Sequence, residues 1–543
     1  MDEAPAPGER QHKKIDSLLL LPGLCFLLLI AQFACHPFWI APEPAMYVDM
    51  VGMLTRGEHP YVFEPAMLVT STVPAILAAL LPSALPVIYF GYILLLALAS
   101  ASASLYLLKR AQLPYLAAIL LVTGFAAINN LFVFQLGEHE HLLLILTMPY
   151  ILLRWLRGDE LERAKSEQDS SSQPPDEPDW RLCAAAGVAS GIGFCLHMLY
   201  LSLPLLLELV PILRSGRAVS LRKPESIACI STMALIALSV VLFDPSFFDL
   251  VVPVVLANWQ VLDLNLGQVA YSPDHNRLLL LCFAAFVPAL ACLGRTSLVT
   301  PLFTMAIMGL MFLTAQKHGF TGDTILAGGM ALTLLGLSSG MILSEFCLPE
   351  VRTSASKLAS KLAISVAVLA ALVGVIAAFT HSLLTGNSLE SALAIGKLPA
   401  DNTRSIAEFV ELRSSIGDGI LVLNDTVAPS YPMVWLKGRH IVDGITGGMP
   451  LRALLAAAAK DTSMQEALAT YKDRIKKVIT SKTARLILIQ DGINYEWLLA
   501  QPELKEALDK DYRPVGMAKY GYSAPPYYGY GSWYDFAVYE RVE

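Results

Sequence analysis

Residues 137–141 read Gly-Glu-His-Glu-His, two carboxylates and two imidazoles in five positions, between "NNLFVFQL" and "LLLILTMPYILL". Such groups bind metal ions, relay protons or orient a polar substrate. In an extended segment, alternate residues point to opposite sides, so the four cannot all face one ion. No metal ligand set is therefore assigned, and no cofactor is required; a divalent cation is the one candidate. If the segment opens a helix, Glu138 and His141 share a face at i, i+3, while Glu140 favours the positive N-terminal end. These three residues are expected to line a substrate site, with Glu140 and His141 foremost.

Three other stretches carry comparable chemistry. The segment 36–74, "HPFWIAPEPAMYVDMVGMLTRGEHPYVFEPAMLVTSTVP", holds Glu43, Asp49, Glu58, His59 and Glu64. An acid held there, partly desolvated, could take a proton from an incoming hydroxyl or amine. The competing possibility is that Asp49 stands in the first turn of a short interfacial helix, "YVDMVGML", and stabilises its N-terminus. "TAQKHGFTGD" (314–323) places Lys317 and His318 in a polar break between two apolar runs, where a lysine suits a lipid phosphate or snorkels at a helix end. In "GFCLHMLY" (193–200), His197 interrupts an apolar stretch, which marks either function or a hydrogen-bonded packing role.

The elements that must position these groups are apolar. Of 543 residues, 55% are hydrophobic and 16% charged, against about a quarter charged in a typical soluble domain. About eleven runs reach bilayer-crossing length: 17–36, 85–108, 114–132, 141–157, 182–197, 199–213, 225–243, 277–294, 298–315, 324–344 and 361–382. The first lacks a clear small-residue cleavage site and reads as an anchored helix rather than a signal peptide. The fifth and sixth are short and could form a broken pair. Lysines and arginines collect in alternate loops, at 10–14, 109–110, 154–181, 214–223, 295 and 352–361, while the opposite loops hold little beyond Arg56, Arg277 and Lys317. That bias predicts a cytoplasmic N-terminus and puts Asp49, residues 137–141 and Lys317 together on the outer face. The eight cysteines lie in or beside apolar segments and imply no disulfide framework.

Two composition shifts divide the chain. Residues 158–180, rich in Pro, Ser and charge, read as a disordered cytoplasmic linker within a membrane domain spanning 1–385. From about Asn387 the pattern becomes that of an extracytoplasmic α/β domain, 386–543. Its strands are expected at 417–425, 484–492 and 533–542, and its helices at 402–417 and 463–480. The aromatic stretch "YGYSAPPYYGYGSWYDF" (520–536) reads as a Gly/Pro-rich turn between edge strands, or as a surface for stacking on sugar faces.

In order and placement these pieces resemble the GT-C superfamily of membrane glycosyltransferases, which includes protein O-mannosyltransferases, the lipid A aminoarabinose transferase and bacterial arabinosyl- and mannosyltransferases. The first outer loop is similar to a "D…G..PY……P" pattern through Asp49, Gly57, Pro60, Tyr61 and Pro65. "GEHEHLLLILTMPYILL" is similar to a "G(Q/E).EHL…P" stretch, and "AQKHGF" to "Q.KG(W/F)". The resemblance covers most of residues 15–345. It implies a GT-C-like fold, a polytopic α-helical membrane protein with about eleven transmembrane helices and the C-terminal extracytoplasmic α/β domain. It also implies a polyprenyl-phosphate-linked sugar donor, Asp49 as base (Glu43 second), and Lys317 on the lipid phosphate. His197 stands where the family carries a "KP" or "KG" element, and "TGD" where many members have Tyr-His.

The chain is thus expected to be a hexosyl- or pentosyltransferase of a bacterial plasma (inner) membrane, acting with inversion on an envelope glycan, lipid or protein. Substrate-binding candidates are Glu138, Glu140, His141, Lys317, His318, His197, His59 and Tyr61. The alternatives are a transporter or flippase of a lipid-linked saccharide, marked by charges inside several spans, and a non-catalytic scaffold with a binding ectodomain. Nucleic acid is not an expected partner.

Overall fold

A helix surrounded by lipid satisfies its backbone N–H and C=O groups internally, so long apolar runs become helices. The computed structural model describes most of residues 20–347 and 404–542; its longer breaks are 167–176, 262–272, 317–323, 348–403, 443–450 and 522–532. The first part is helical throughout: α1 (Leu20–Cys35), α2 (Pro42–Thr55), α3 (Pro65–Leu80), α4 (Leu85–Arg110), α5 (Tyr115–Leu131), α6 (His139–Ser166) and α7 (Trp180–Phe194). It continues through α8 (Leu203–Ser215), α9 (Pro224–Phe243), α10 (Val252–Val261), α11 (Pro273–Cys292), α12 (Val299–Gln316) and α13 (Ile325–Cys347). Among the described residues three helices, at Leu85–Arg110, Pro224–Leu242 and Ile325–Ser344, are long and apolar enough to cross a membrane, and six shorter apolar helices accompany them. Ten of the eleven expected spans coincide with helices; the eleventh, 361–382, lies outside the described residues.

Three features differ from expectation. Residues 158–166, expected to open a disordered linker, continue α6 to Ser166, and 167–176 lie outside the described residues. The stretch 65–80, which contains Thr70, Ser71 and Thr72 and so reads as weakly apolar, forms α3, with Pro65 in its first turn and Pro74 inside it. The helix carrying Asp49 begins at Pro42, so Asp49 lies in its middle and Glu43 occupies the first turn. Proline is tolerated at the start of a helix because that N–H has no intrahelical partner. The expected break between the fifth and sixth spans is present: α7 ends at Phe194 and a 3-10 turn, Met198–Ser202, precedes α8.

Small residues set the closest helix approaches. A Cβ on Gly336 of α13 would stand 2.1 Å from the Leu120 carbonyl oxygen of α5, and one on Gly340 would stand 2.4 Å from the Cα of Ala117. Gly187 and Gly191 of α7 meet Glu225 and Cys229 of α9 in the same way, at 2.2 and 2.7 Å from their carbonyl oxygens. Both pairs are spaced i, i+4, the small-xxx-small arrangement that lets helix backbones pack in the absence of a hydrophobic driving force.

The second part comprises α14 (Arg404–Arg413), β1 (Gly419–Leu423), β2 (His440–Ile441), α15 (Leu451–Ala458), α16 (Thr462–Thr480), β3 (Ala484–Gln490), α17 (Ile493–Leu499), α18 (Pro502–Asp511), β4 (Tyr512–Gly521) and β5 (Trp533–Arg541). The sheet order is β2-β1-β3-β5-β4. The β2, β1 and β3 strands are parallel, while β5 runs antiparallel to β3 and β4. Residues 420–423 of β1 and 486–490 of β3 are buried on both faces, which explains their unbroken apolar runs. Glu540 of β5 is held by Arg413, Arg485 and Arg513 at 2.9, 3.0 and 3.1 Å. The two parts meet where Val254 of α10 joins the apolar cluster of Leu423, Leu451 and Leu454, and where the turn Ser430–Val434 reaches α2.

Candidate functional site

The site begins with the way α6 starts. Gly137 has φ +87, a left-handed conformation that disfavours any side chain, and a Cβ there would also stand 2.1 Å from the Tyr89 hydroxyl. The chain turns at this glycine and His139 becomes the first residue of α6. At about 100° per residue, His139 and His141 then face nearly opposite ways. His141 turns inward and is 1% exposed. Its Nδ1 accepts the Gly137 N–H at 3.2 Å, so its Nε2 carries the proton and donates to Asn129 Oδ1 at 2.9 Å. It fastens the α5–α6 corner.

His139 turns the other way, into carboxylates. Its Nδ1 is 2.9 Å from Glu43 Oε2 and 3.9 Å from Glu64 Oε2, and its Nε2 is 2.6 Å from Glu140 Oε1. Both ring nitrogens face acceptors, so the imidazole in this arrangement is doubly protonated. Glu43 comes from the first turn of α2 and Glu64 from the residue before α3, where its side chain makes no capping bond. Tyr47, one turn beyond Glu43 on α2, hydrogen-bonds Glu64. The Glu64 carboxyl is pushed up to about 8: burial is the main cause, His139 pulls against it, and the negative charges of Glu43 and Glu140 add to the rise.

His197, at the break after α7, stacks on His139 with ring centres 5.5 Å apart and planes 15° from parallel. Its Nδ1 accepts the Leu199 N–H and begins the 3-10 turn. Tyr200 from that turn packs 5.3 Å from His197 and 6.0 Å from His139, and Phe312 of α12 packs 5.8 Å beyond it. An aromatic wall therefore closes one side of the acidic group.

Asp49 belongs to a different face. It lies six positions after Glu43, so the two acids point about 120° apart around α2. Asp49 is buried and accepts a hydrogen bond of 2.6 Å from the Tyr431 hydroxyl of the α/β domain. The α2 helix thus stands between the two parts of the molecule, with Glu43 toward the bundle and Asp49 toward the sheet domain. Glu43, Glu140 and His197 converge on one centre, Glu138 lies half-buried in the turn beside it, and Asp49 lies apart from Glu43 across α2. Lys317, His318, His59 and Tyr61 lie outside the described residues.

His139, the hub, was not among the expected binding residues. Glu64 carries no expected role in the sequence, and no motif there marks Tyr431. The signal that could have found His139 is Gly137: a glycine directly before a polar, helix-forming run marks the turn that sets the helix phase.

No protein-family model matches the chain, and no curated protein matches it by sequence. Among solved structures, the chain is similar to the arabinofuranosyltransferase AftD from Mycobacteria, determined by cryo-EM, with TM-score 0.44 and 14% identity. That alignment covers 97% of this chain and 41% of the other, so the chain spans less than half of that protein's length.

Proposed function

We propose that the chain is a membrane glycosyltransferase that moves a sugar from a polyprenyl-phosphate donor to an extracytoplasmic glycan, lipid or protein acceptor. The observation that carries this is the placement of α2. A helix bearing carboxylates on two faces is buried at the seam between an apolar helical bundle and a water-soluble α/β domain. A donor with a lipid tail arrives through the bundle, and a polar acceptor arrives from the domain side.

In this proposal the acceptor hydroxyl attacks the anomeric carbon from the side opposite the phosphate. Asp49, or Glu43 in its place, takes the hydroxyl proton, and polyprenyl phosphate departs with the bonding electrons. The leaving phosphate is stable as an anion, so positioning, one base and a cation over the phosphate suffice. Lys317 and His318 are assigned to the phosphate, His59 and Tyr61 to the donor, and Glu138, Glu140 and His197 to the sugar. The outer face of a bacterial plasma membrane and inversion at the anomeric carbon are parts of the same proposal.

The test is transfer in membrane vesicles supplied with a labelled lipid-linked sugar. Asp49→Asn is expected to lower transfer by about 10²-fold or more, as loss of a general base does, with insertion into the membrane unchanged. Near-normal transfer by that variant removes Asp49 as the base. An unchanged envelope glycan in cells lacking the chain removes the transferase assignment altogether.

A further inference from the structure

We propose that Glu43, Glu64 and the Nδ1 of His139 form a divalent metal site, with Glu140 as the carboxylate that orients the histidine. One ligand atom from each of Glu43, Glu64 and His139 can be chosen so that all three lie within 4.8 Å of one another. Ligands held roughly 2.0–2.2 Å from one tetrahedral ion stand roughly 3.3–3.6 Å apart, and the observed His139 separations of 2.9 and 3.9 Å bracket that span.

Two further observations point to a bound cation. A metal-ligating imidazole almost always donates its other N–H to a carboxylate, which sets tautomer and ring orientation. Glu140 Oε1 sits 2.6 Å from the His139 Nε2, on the side of the ring away from Nδ1. Glu140 is itself 2% exposed; its Oε1 meets the imidazole as an ion-pair contact, and neither of its oxygens accepts a hydrogen bond of good geometry among the described residues. Glu43 and Glu140 together outweigh one protonated His139, so the group is negative even with the Glu64 carboxyl neutral, and such a half-buried excess is unfavourable without a counter-charge. A divalent ion supplies it. On binding, the His139 Nδ1 proton and the Glu64 carboxyl proton leave to solvent, Nδ1 and one oxygen each of Glu43 and Glu64 bond to the metal, and Nε2–H stays facing Glu140.

The donor set is one imidazole nitrogen and carboxylate oxygens, without thiolate or thioether, which suits zinc(II) or manganese(II) rather than copper(I). Three protein ligands leave a position for water or a polar substrate group. The site stands whether or not the chain transfers a sugar, because its test reads bound metal.

Full-length protein in detergent micelles, stripped with chelator, is titrated with zinc(II) and separately with manganese(II), and bound metal is counted by elemental analysis. One equivalent of zinc or manganese per chain is expected. Glu43→Gln, Glu64→Gln and His139→Asn are each expected to weaken that binding at least about tenfold, and Glu140→Gln by about 10–100-fold, as for other orienting carboxylates. Glu64→Gln is the deciding variant, since glutamine keeps a partner for Tyr47 and relieves the crowding of acids, so the fold is retained. Failure of both metals to bind at one equivalent overturns the site, as does Glu64→Gln binding as tightly as the parent chain.

Discussion

The two ends of α6 carry two largely enclosed charged clusters built on different plans. At one end, one histidine serves three carboxylates, from Glu43, Glu64 and Glu140. At the other, roughly 20–27 Å away by helix rise, two guanidinium groups share four carboxylates: Arg154 meets Glu208 and Glu225, and Arg157 meets Glu160, Glu177 and Glu225. Arg154 pairs with Glu208 and donates to Ser226 at 2.8 Å, and Arg157 Nε meets Glu225 at 3.3 Å. These pairs tie α6 to α8 and α9. The difference separates a fastening from a receptor: permanently charged guanidinium groups reach every acid at the arginine end, whereas one imidazole alone answers three carboxylates at the other, which stays poised for a cation from outside.

The comparison breaks first at the arginine end. Arg154→Ala leaves Glu208 without its partner and is expected to destabilise the protein by about 3–5 kcal/mol, read as a lowered unfolding midpoint in detergent. A loss below about 1 kcal/mol would mean the pair is not a fastening. A smaller loss is expected at the seam, where Tyr431→Phe removes the hydroxyl from Asp49: about 1–3 kcal/mol, seen as faster hydrogen exchange in α2 and in Ser430–Val434. Unchanged exchange there would disconnect the domain from α2.

At the histidine end the sign should reverse. In chelator-stripped protein, Glu64→Gln removes one of the crowded acids and is expected to raise stability, by no more than about 1 kcal/mol. Destabilisation beyond about 2 kcal/mol would class Glu64 with the fastenings instead. The smallest effect belongs to Lys223→Ala, whose ion pair with the exposed Glu177 is 2.6 Å long. Its loss is expected to move the unfolding midpoint by less than about 0.5 kcal/mol.

Much of the fold is legible in the chain itself. The ten apolar runs that lie within the described residues became helices, and β1, β3, β5 and α16 fall where alternation and periodicity place them. The helix α3 escaped notice because Thr70, Ser71 and Thr72 interrupt its apolar run, yet Thr70 and Thr72 bond to the carbonyls of Met67 and Leu68 within the helix. The two G-x-x-x-G pairs were equally visible as strings. Which helices they bring together, α13 with α5 and α7 with α9, was not.

The site was legible only as an inventory. Local sequence dictates that residues 137–141 are polar at the end of an apolar helix, that an acid-rich segment precedes α3, and that a histidine interrupts the run after α7. These follow from hydropathy and turn chemistry over a few residues, which no distant contact needs to support. Tertiary structure alone decided that His139, and not His141, meets the acids. The two face opposite sides of one helix, and the turn at Gly137, seated on Tyr89 of α4, sets the phase. It alone brought Glu43, Glu64 and His197 to that ring across 58 to 96 positions of sequence, and Tyr431 to Asp49 across 382. Such meetings depend on which helix surfaces pack together, and single-residue patterns do not encode that choice.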